Sequence, residues 1–405
     1  MARPVHVGLA TLTCLLLSAC QVDPSPGPST LPTPGASGAA QAGDVHEQLR
    51  QAAWADDAAT ARALIAAGAD VNAKDGTEQS AYLIATSEGH ADLLDLTLAH
   101  GAHVDDKDSW NGTGLIRAAE RGHWLVVGKL LAAGIDRDHV NRIGYQAIHE
   151  AIWLGRDDEA HVATVRVLAA GGVELTRASG DEGHTPLVMA ERRNHPAQHA
   201  ALRAILDAPT PADADAALLA AASSGDADAA AVALRAGANL ETRDAAGRTP
   251  LLLASAGDHV AVARVLVALG ADPDAVDDRS DTAWLVTGVT GSVPMAEVLA
   301  LAHPDLTLRN RFGGVSIIPA AERGHAAYVR WVSTHTTIDV DHVNDLGWTA
   351  LLEAVILGDG GPAHVEVVQA LLDAGADRTI ADREGVTPLE HARLRGQAAI
   401  VGLLA

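Results

Sequence analysis

Cysteine is almost missing from this sequence of 405 residues. Its two cysteines, Cys14 and Cys20, lie near the N-terminus, and none follows them. The chain after Cys20 therefore has no thiol with which to form a disulfide, hold a metal ion or act as a nucleophile. Whatever fold these residues adopt must be stabilised by packing and hydrogen bonds alone.

Aromatic residues and positive charges are also scarce. Aromatic side chains make up 3 % of the chain, and 29 Lys and Arg residues face 52 Asp and Glu residues, which gives a formal net charge of -23. A chain this acidic repels the phosphates of nucleic acid and an anionic membrane surface. We therefore expect no nucleic-acid ligand, and we expect a partner with a basic patch that is a protein or a small ligand. The alternative is that the acidity only keeps the protein soluble.

The motifs of common catalytic sites are absent as well. The sequence has no His-Glu-x-x-His, no Gly-rich phosphate loop and no Gly-x-Ser-x-Gly, which are the usual marks of metalloproteases, nucleotide enzymes and serine hydrolases. Its Asp-rich turns, such as residues 105–108, lack the spacing and the distal Glu of a calcium loop. We expect no catalysis, no metal site and no cofactor.

What the sequence does contain is repetition at two scales. Gly68, Gly101 and Gly134 recur every 33 residues, and longer segments return 202 or 203 residues later, as residues 120–123 do at 322–325. Apolar residues between these turns follow helical spacing. A unit of this length cannot bury its own apolar face, so neighbouring units must stack. The pattern predicts an all-α solenoid of about eleven helix pairs in two tandem halves.

The clearest unit begins Thr249-Pro250-Leu251 and ends Gly270-Ala271-Asp272. It resembles an ankyrin repeat, and the resemblance extends over roughly residues 46 to 405. The resemblance implies helix-turn-helix units with β-hairpin-like fingers and a role in binding other proteins. The sequence predicts a first array at 45–208, a Pro-containing junction at 209–213 and a second array at 214–405. We expect a monomer, and the pattern leaves open whether the arrays form one superhelix.

The N-terminal residues are of a different kind. Arg3 is followed by a mostly apolar stretch at 7–17 and then by Leu17-Ser18-Ala19-Cys20. Residues 1–19 resemble a bacterial lipoprotein signal peptide, which implies cleavage before Cys20 and lipidation of its thiol; a secretory signal with a chance cysteine is the alternative. Residues 20–44 are rich in Pro, Gly and Ser and suit a flexible tether. We expect a lipid-anchored protein of the bacterial cell envelope, outside the cytoplasm.

One set of polar and aromatic residues occurs in both halves. Its members are His139, Asn141, Tyr145 and Glu150 in the first half, and His342, Asn344, Trp348 and Glu353 in the second. Duplicated sequence drifts where nothing restrains it, so these positions have a structural or a binding role. The structural interpretation is that the Asn residues hold the hairpins and the aromatic residues pack between fingers. Our binding hypothesis is that each set forms an exposed patch on the concave face.

Two kinds of ligand are compatible with such patches. A partner protein of the cell envelope would use them as anchors, with the chain acting as scaffold, inhibitor or protective partner. A small molecule or a cell-wall fragment would instead occupy two equivalent sites, with a stoichiometry near two. The sequence favours the protein partner because stacked repeats present a long open surface.

Overall fold

The computed structural model describes residues 37–180 and 182–405, with side chains from Val45 onwards. The predicted signal peptide and Cys20 lie outside the described residues. The chain divides into two units, Met1–Gln41 and Ala42–Ala405, and the arrangement below is that of the second. The described residues form 22 helices and one isolated β-bridge, between Lys107 and Thr113. None of these helices is long and apolar enough to cross a membrane.

The helices come in consecutive pairs. Those of the first array are α1 (Ser37–Trp54), α2 (Ala58–Ala66), α3 (Ala81–Glu88), α4 (Ala91–Ala99), α5 (Gly114–Glu120), α6 (Trp124–Ala132), α7 (Ala147–Trp153), α8 (Glu159–Ala170), α9 (Pro186–Arg192) and α10 (Pro196–Asp207). Helix α1 begins at Ser37, inside the segment that we predicted as a flexible tether. This stretch carries several alanines and no proline, and alanine has the best helix propensity.

The second array follows after a short junction. Its helices are α11 (Ala214–Ser224), α12 (Ala227–Arg235), α13 (Pro250–Ala256), α14 (Val260–Ala268), α15 (Ala283–Thr290), α16 (Val293–Ala300), α17 (Ile317–Glu322), α18 (Ala326–His335), α19 (Ala350–Ile356), α20 (Pro362–Asp373), α21 (Pro388–Leu394) and α22 (Ala398–Leu404). Eleven helix pairs thus occupy the described part of the chain. The predicted all-helical repeat architecture is confirmed.

Local chemistry explains where each pair starts and ends. The hydroxyl of Thr249 caps α13 by accepting from the N–H of Leu252, while Pro250 occupies the first turn, where no intrahelical partner is lost. Thr185 and Thr387 cap α9 and α21 in the same way. The turn after the second helix uses a left-handed residue, as at Gly68 with φ 98°, which glycine adopts without strain.

Eight of the extended turns between pairs, called fingers below, are each held by one side chain. A carboxylate or amide oxygen accepts two backbone N–H bonds, from the residues two and four positions later, which closes a tight turn. The residues that do this are Asp75, Asp108, Asn141, Asp244, Asp277, Asn310, Asn344 and Asp382. Turn geometry therefore accounts for the Asp-rich pattern. Within the described residues, no three His, Cys, Asp or Glu side chains are grouped to hold a metal ion.

The second array folds back onto the first instead of continuing it. Helix α12 packs on α8 and α10, and the next second-position helix, α14, packs on α6 and α8. Further along, the His303 ring lies 3.2 Å from the Asp92 carboxylate, next to α4. Successive helices of the second array thus meet progressively earlier helices of the first.

The contact between the arrays is both apolar and ionic. Ala231, Val265 and Ala268 of the second array belong to the hydrophobic core of the first. At the edges, Arg166 Nε donates to the Asp228 carboxylate over 2.6 Å, and the Arg235 guanidinium donates to the backbone oxygen of Val173 over 2.7 Å. Since the second helices form the shared layer, the first helices and fingers remain on the outside.

Candidate functional site

Most of the residues predicted to form an exposed patch are buried. Tyr145 and Glu150 are each 2 % exposed, and Asn141, His342, Asn344 and Glu353 are also buried, whereas His139 and Trp348 are half-buried. The predicted exposure of these two sets is therefore wrong. These side chains pack between neighbouring repeat units. Packing restrains the same positions in both halves, so it also accounts for their recurrence in the sequence. A binding role for these residues stays a prediction.

Each Asn of the predicted sets ties its finger to the first helix of the same unit. Asn141 Nδ2 donates to Glu150 Oε1 over 2.6 Å, and Asn344 Nδ2 donates to Glu353 Oε1 over 2.7 Å. Because the oxygen Oδ1 of the same amide accepts the backbone N–H bonds that close the finger, one side chain holds both elements. The structural role considered for these asparagines is thereby present in both halves.

The His and Tyr residues connect neighbouring fingers. His139 Nε2 lies 2.8 Å from the backbone oxygen of Asn111, and His342 Nε2 lies 2.7 Å from that of Gly313. The Tyr145 hydroxyl donates to Glu182 over 2.5 Å, and this bond is the main reason that the pKa of Glu182 lies below its usual value. These contacts fix the spacing of the fingers.

The two arrays carry grooves at equivalent positions between the fingers and the first helices. The first groove has a volume of about 380 Å³ and is lined by Trp54, Thr77, Gln79, Leu83, Ser87, Asp108, Ser109, Trp110, Arg117, Glu120 and Arg121. The second groove has a volume of about 440 Å³; its lining includes Asp281, Arg311, Phe312, Pro319, Glu322, Arg323, Asn344, Leu346, Glu353 and Leu357. Trp110 and Phe312, 202 residues apart, mark the shared position.

Exposed apolar side chains recur at matching positions of the two arrays. Phe312, Leu346 and Leu357 line the second groove, whereas of their first-array counterparts only Trp110 lines the first groove. Trp110, Ile143 and Leu154 are 61 %, 37 % and 52 % exposed, and their counterparts Phe312, Leu346 and Leu357 are 51 %, 50 % and 50 % exposed. Large apolar side chains on one open face are typical of interaction surfaces. None of these six residues was among the candidate binding residues predicted from the sequence, although alignment of the two halves places all three pairs at offsets of 202 or 203.

Arg117 closes the inner end of the first groove. Its guanidinium donates to Asp108 over 2.5 Å and to Glu120 over 2.8 Å. Beyond it, Glu150 is enclosed, and its second carboxylate oxygen is buried without a hydrogen-bond partner. Burial, with repulsion from Glu120, raises the pKa of Glu150 to about 7.

The second groove has no such cation and extends one unit further. Pro319 stands at the position of Arg117, 202 residues later, and Glu353 lines the groove. Burial, with repulsion from Glu322, raises the pKa of Glu353 to about 7. The sequence change from Arg to Pro thus converts a closed end into an open acidic one.

The known proteins to which this chain is similar contain ankyrin repeats. A family model for ankyrin repeats, in three copies, matches residues 49–141, 197–277 and 317–405. The ankyrin repeat protein YahD of Escherichia coli (strain K12) is 39 % identical over 171 residues, which are 42 % of this chain and 85 % of YahD. The ankyrin repeat and KH domain-containing protein mask-1 of Caenorhabditis elegans is 30 % identical over 40 % of this chain, but over only 5 % of its own length.

Two solved structures are similar to about half of the chain. An ankyrin repeat domain from Acinetobacter baumannii is 40 % identical, with a TM-score of 0.44, and the match covers 46 % of this chain and 95 % of that domain. A second ankyrin repeat protein is 34 % identical, with a TM-score of 0.45, over 47 % of this chain and 96 % of its own.

Proposed function

This chain belongs to the ankyrin-repeat family, and we propose from that premise that it recognises another protein through the two grooves and performs no reaction on it. The observation that carries the proposal is the matched set of exposed apolar residues, Trp110, Ile143 and Leu154 in the first array and their three counterparts in the second. Side chains of this kind anchor protein interfaces, with aromatic residues and arginines contributing most.

The grooves lie on a face that the fold leaves available. The packing between the arrays is made by second helices, with α12 and α14 against α6, α8 and α10, whereas the fingers and first helices are not part of that layer. The net charge of -23 favours a partner with a basic surface, since charge complementarity speeds association and excludes acidic competitors.

For its location, we propose a lipid anchor on Cys20 in the bacterial cell envelope. The support is the sequence Leu17-Ser18-Ala19-Cys20 after an apolar stretch. Mass spectrometry of the mature N-terminus would show a lipid-modified cysteine at position 20. A Cys20→Ala chain released without lipid would agree with the proposal, and an unmodified Cys20 in membrane-bound material would contradict it.

Protein recognition is tested by capture from detergent-solubilised envelope with the full chain as bait. Phe312→Ala combined with Leu346→Ala should weaken binding of a captured partner about tenfold or more, the loss of about 1.4 kcal/mol or more. Leu394→Ala is the matched control, because Leu394 is 79 % exposed in α21 and does not line either groove.

The outcome is decided by the difference between these variants. A partner held equally well by the groove variant and the control would not use the second groove. If Trp110→Ala, which changes the lining of the first groove, were also without effect, neither groove would be the binding surface, and the proposal would be wrong.

A small ligand is the second candidate because the volume of the second groove, about 440 Å³, falls in the range of ligand pockets. The two grooves are not equivalent, since Arg117 closes the first. Calorimetric titration with cell-wall fragments should therefore give a stoichiometry near one, where the sequence alone predicts two.

A further inference from the structure

The inner end of the second groove holds two acidic side chains and no cation that offsets them. Glu322 and Glu353 both line this end. Glu353 is 6 % exposed, and of its two carboxylate oxygens only Oε1 is used, by Asn344. The free oxygen of a side chain that is more than nine-tenths buried therefore faces the groove.

The first array shows which chemical group satisfies this arrangement. There the guanidinium of Arg117 lies at the equivalent position and donates to Glu120, the counterpart of Glu322. It also lowers the pKa of Glu150, the counterpart of Glu353, against the larger effects of burial and of Glu120. A proline cannot make these contacts, so in the second array the acids are kept and the cation is lost.

The other charged residues of the second groove do not replace it. Arg311 and Arg279 lie 3.6 Å and 4.0 Å from Asp281, at the finger end of the groove. Arg323 also lines the groove. None of the three contributes to the pKa of Glu353, for which burial, Glu322 and Asn344 are the causes. Within the described residues, no ion pair joins any of these three arginines to Glu322 or Glu353, so the inner end of the groove stays acidic.

We propose that the second groove binds an arginine side chain of the partner protein, with its guanidinium between Glu322 and Glu353 and its apolar neighbours on Phe312, Leu346 and Leu357. The inference rests on the proposed function and specifies its chemistry. Guanidinium is the cation that the chain itself uses at the equivalent position, and its planar donors suit two carboxylates. The first groove does not bind such a group because Arg117 already occupies the position.

The test uses two labelled peptides and the full chain in detergent. One peptide is acetyl-Gly-Leu-Arg-Leu-Gly-amide, and the other carries citrulline, a neutral isostere, in place of arginine. Fluorescence anisotropy should show the arginine peptide binding about tenfold tighter or more, equivalent to about 1.4 kcal/mol. Calorimetry should give one site per chain.

Variants taken from the first array locate the site. Pro319→Arg supplies the missing cation from within and should weaken the arginine peptide about tenfold while leaving the citrulline peptide unchanged. Arg117→Ala should open the first groove and raise the stoichiometry from one to two. If Pro319→Arg does not fold, Glu322→Gln with Glu353→Gln, which keeps the shape, should give the same loss for the arginine peptide.

Binding should also depend on pH, because Glu353 must be ionised to pair with a cation. With its pKa at about 7, the arginine peptide should bind up to about tenfold tighter at pH 8 than at pH 6. Glu353→Gln should remove most of the difference in affinity between pH 8 and pH 6. A variant that only disturbed packing would weaken binding equally at both pH values.

Three results would overturn the inference: equal affinity for the two peptides, no detectable binding of the arginine peptide at its solubility limit, or no effect of either the Pro319 or the Glu322/Glu353 variants. Each is distinguishable from failure of the proposed function. A partner captured through Phe312 and Leu346 would still establish recognition by the groove, even where arginine and citrulline bind alike.

Discussion

At the scale of single residues, four of the eight finger side chains form a hydrogen bond with the side chain nine positions later, and the two partners are chemically complementary. The pairs are Asp108 with Arg117, Asn141 with Glu150, Asn344 with Glu353, and Asp382 with His391. An acid stands opposite a base, and an amide stands opposite an acid. Asn141 and Asn344 are therefore amides because an aspartate would place two carboxylates at hydrogen-bonding distance.

The first prediction is that Asn344→Asp destabilises the protein. The new carboxylate can still close the finger but cannot donate to Glu353, so we expect a loss of about 1–3 kcal/mol at pH 8. The loss should be smaller at pH 5, where Glu353 is protonated and can donate. Urea unfolding at both pH values measures it.

Asn310→Asp is the matched control for that change. Asn310 closes its own finger in the same way, but Pro319 is the residue nine positions later, and it carries no charge. We expect a change within about 0.5 kcal/mol. Equal losses in the two variants would mean that the effect comes from the finger and not from Glu353.

The second prediction concerns stability against pH. The folded-state pKa of about 7 of Glu150 and of Glu353 lies above their ordinary value of 4.5. The native state therefore binds more protons than the unfolded state between pH 4.5 and 7, so both groups lower stability as the pH rises through this window. Glu150→Gln with Glu353→Gln should remove this loss.

The comparison must be made between variant and wild type, because other groups titrate in the same range. Burial lowers the pKa of His123 and of His149, which makes stability rise with pH and opposes the two glutamates. Chemical unfolding at pH 5 and pH 8 should show a larger gain, or a smaller loss, on going to pH 8 in the double variant. Parallel pH profiles would show that the carboxyls titrate normally.

The duplicated positions could be found from the sequence, but their burial could not. Tyr145, Glu150 and their counterparts recur because they are restrained, and both a packed contact and a binding patch impose restraint. The two interpretations are distinguished by Asn141 and Asn344, each of which is hydrogen-bonded to a glutamate. The sequence shows that glutamate nine residues after each asparagine. That spacing carries meaning only once the finger and the first helix are known to lie side by side.

At the scale of helices, α6 of the first array and α14 of the second approach each other closely at Gly128. A Cβ atom placed on Gly128 in α6 would lie 2.1 Å from the backbone oxygen of Ala268 at the end of α14. No side chain fits there without separating the helices. Glycine is normally unfavourable within a helix, so this one is explained by the neighbouring array and not by its own unit.

The third prediction follows from that contact. Gly128→Ala should lower the stability by about 1–3 kcal/mol, as overpacking does, although Gly to Ala within a helix usually stabilises. Gly402→Ala is the matched control, because Gly402 lies in α22 with no atom within 4 Å of its added Cβ. Thermal unfolding should show opposite signs for the two changes, and a gain in both would mean that α6 and α14 are not in contact.

The helix pairs could be predicted from the sequence because the features that specify them are local. Helix caps, turn glycines and apolar spacing each act within one repeat unit. The packing of α14 against α6 depends on residues more than 130 positions apart and has no periodic signal. One clue was available. Helix α14 is apolar on nearly every side, with Val262, Ala263 and Val265–Ala268 buried, and such a helix is covered on more than one face.

At the scale of the whole molecule, folding back converts two similar arrays into one body with unequal grooves. The shared layer of second helices provides rigidity, and the first helices keep their grooves outside it. Of the two grooves, one is closed by Arg117 and the other is open at Pro319. The arginine site proposed for the second groove depends on this one difference between the copies, Arg117 in the first and Pro319 in the second.

The last prediction is that the two arrays, expressed as separate chains, associate. Residues 45–208 alone would expose the faces of α6 and α8 that pack on α12 and α14, and so should self-associate, since exposed apolar surface of this kind is an aggregation hazard. Mixing them with residues 209–405 should yield a 1:1 complex in light scattering after size exclusion. Gly128→Ala in the first chain should weaken that complex, whereas Gly402→Ala in the second should not. If both chains were stable monomers and formed no complex, the arrays would be independent and joined only by the junction at 209–213.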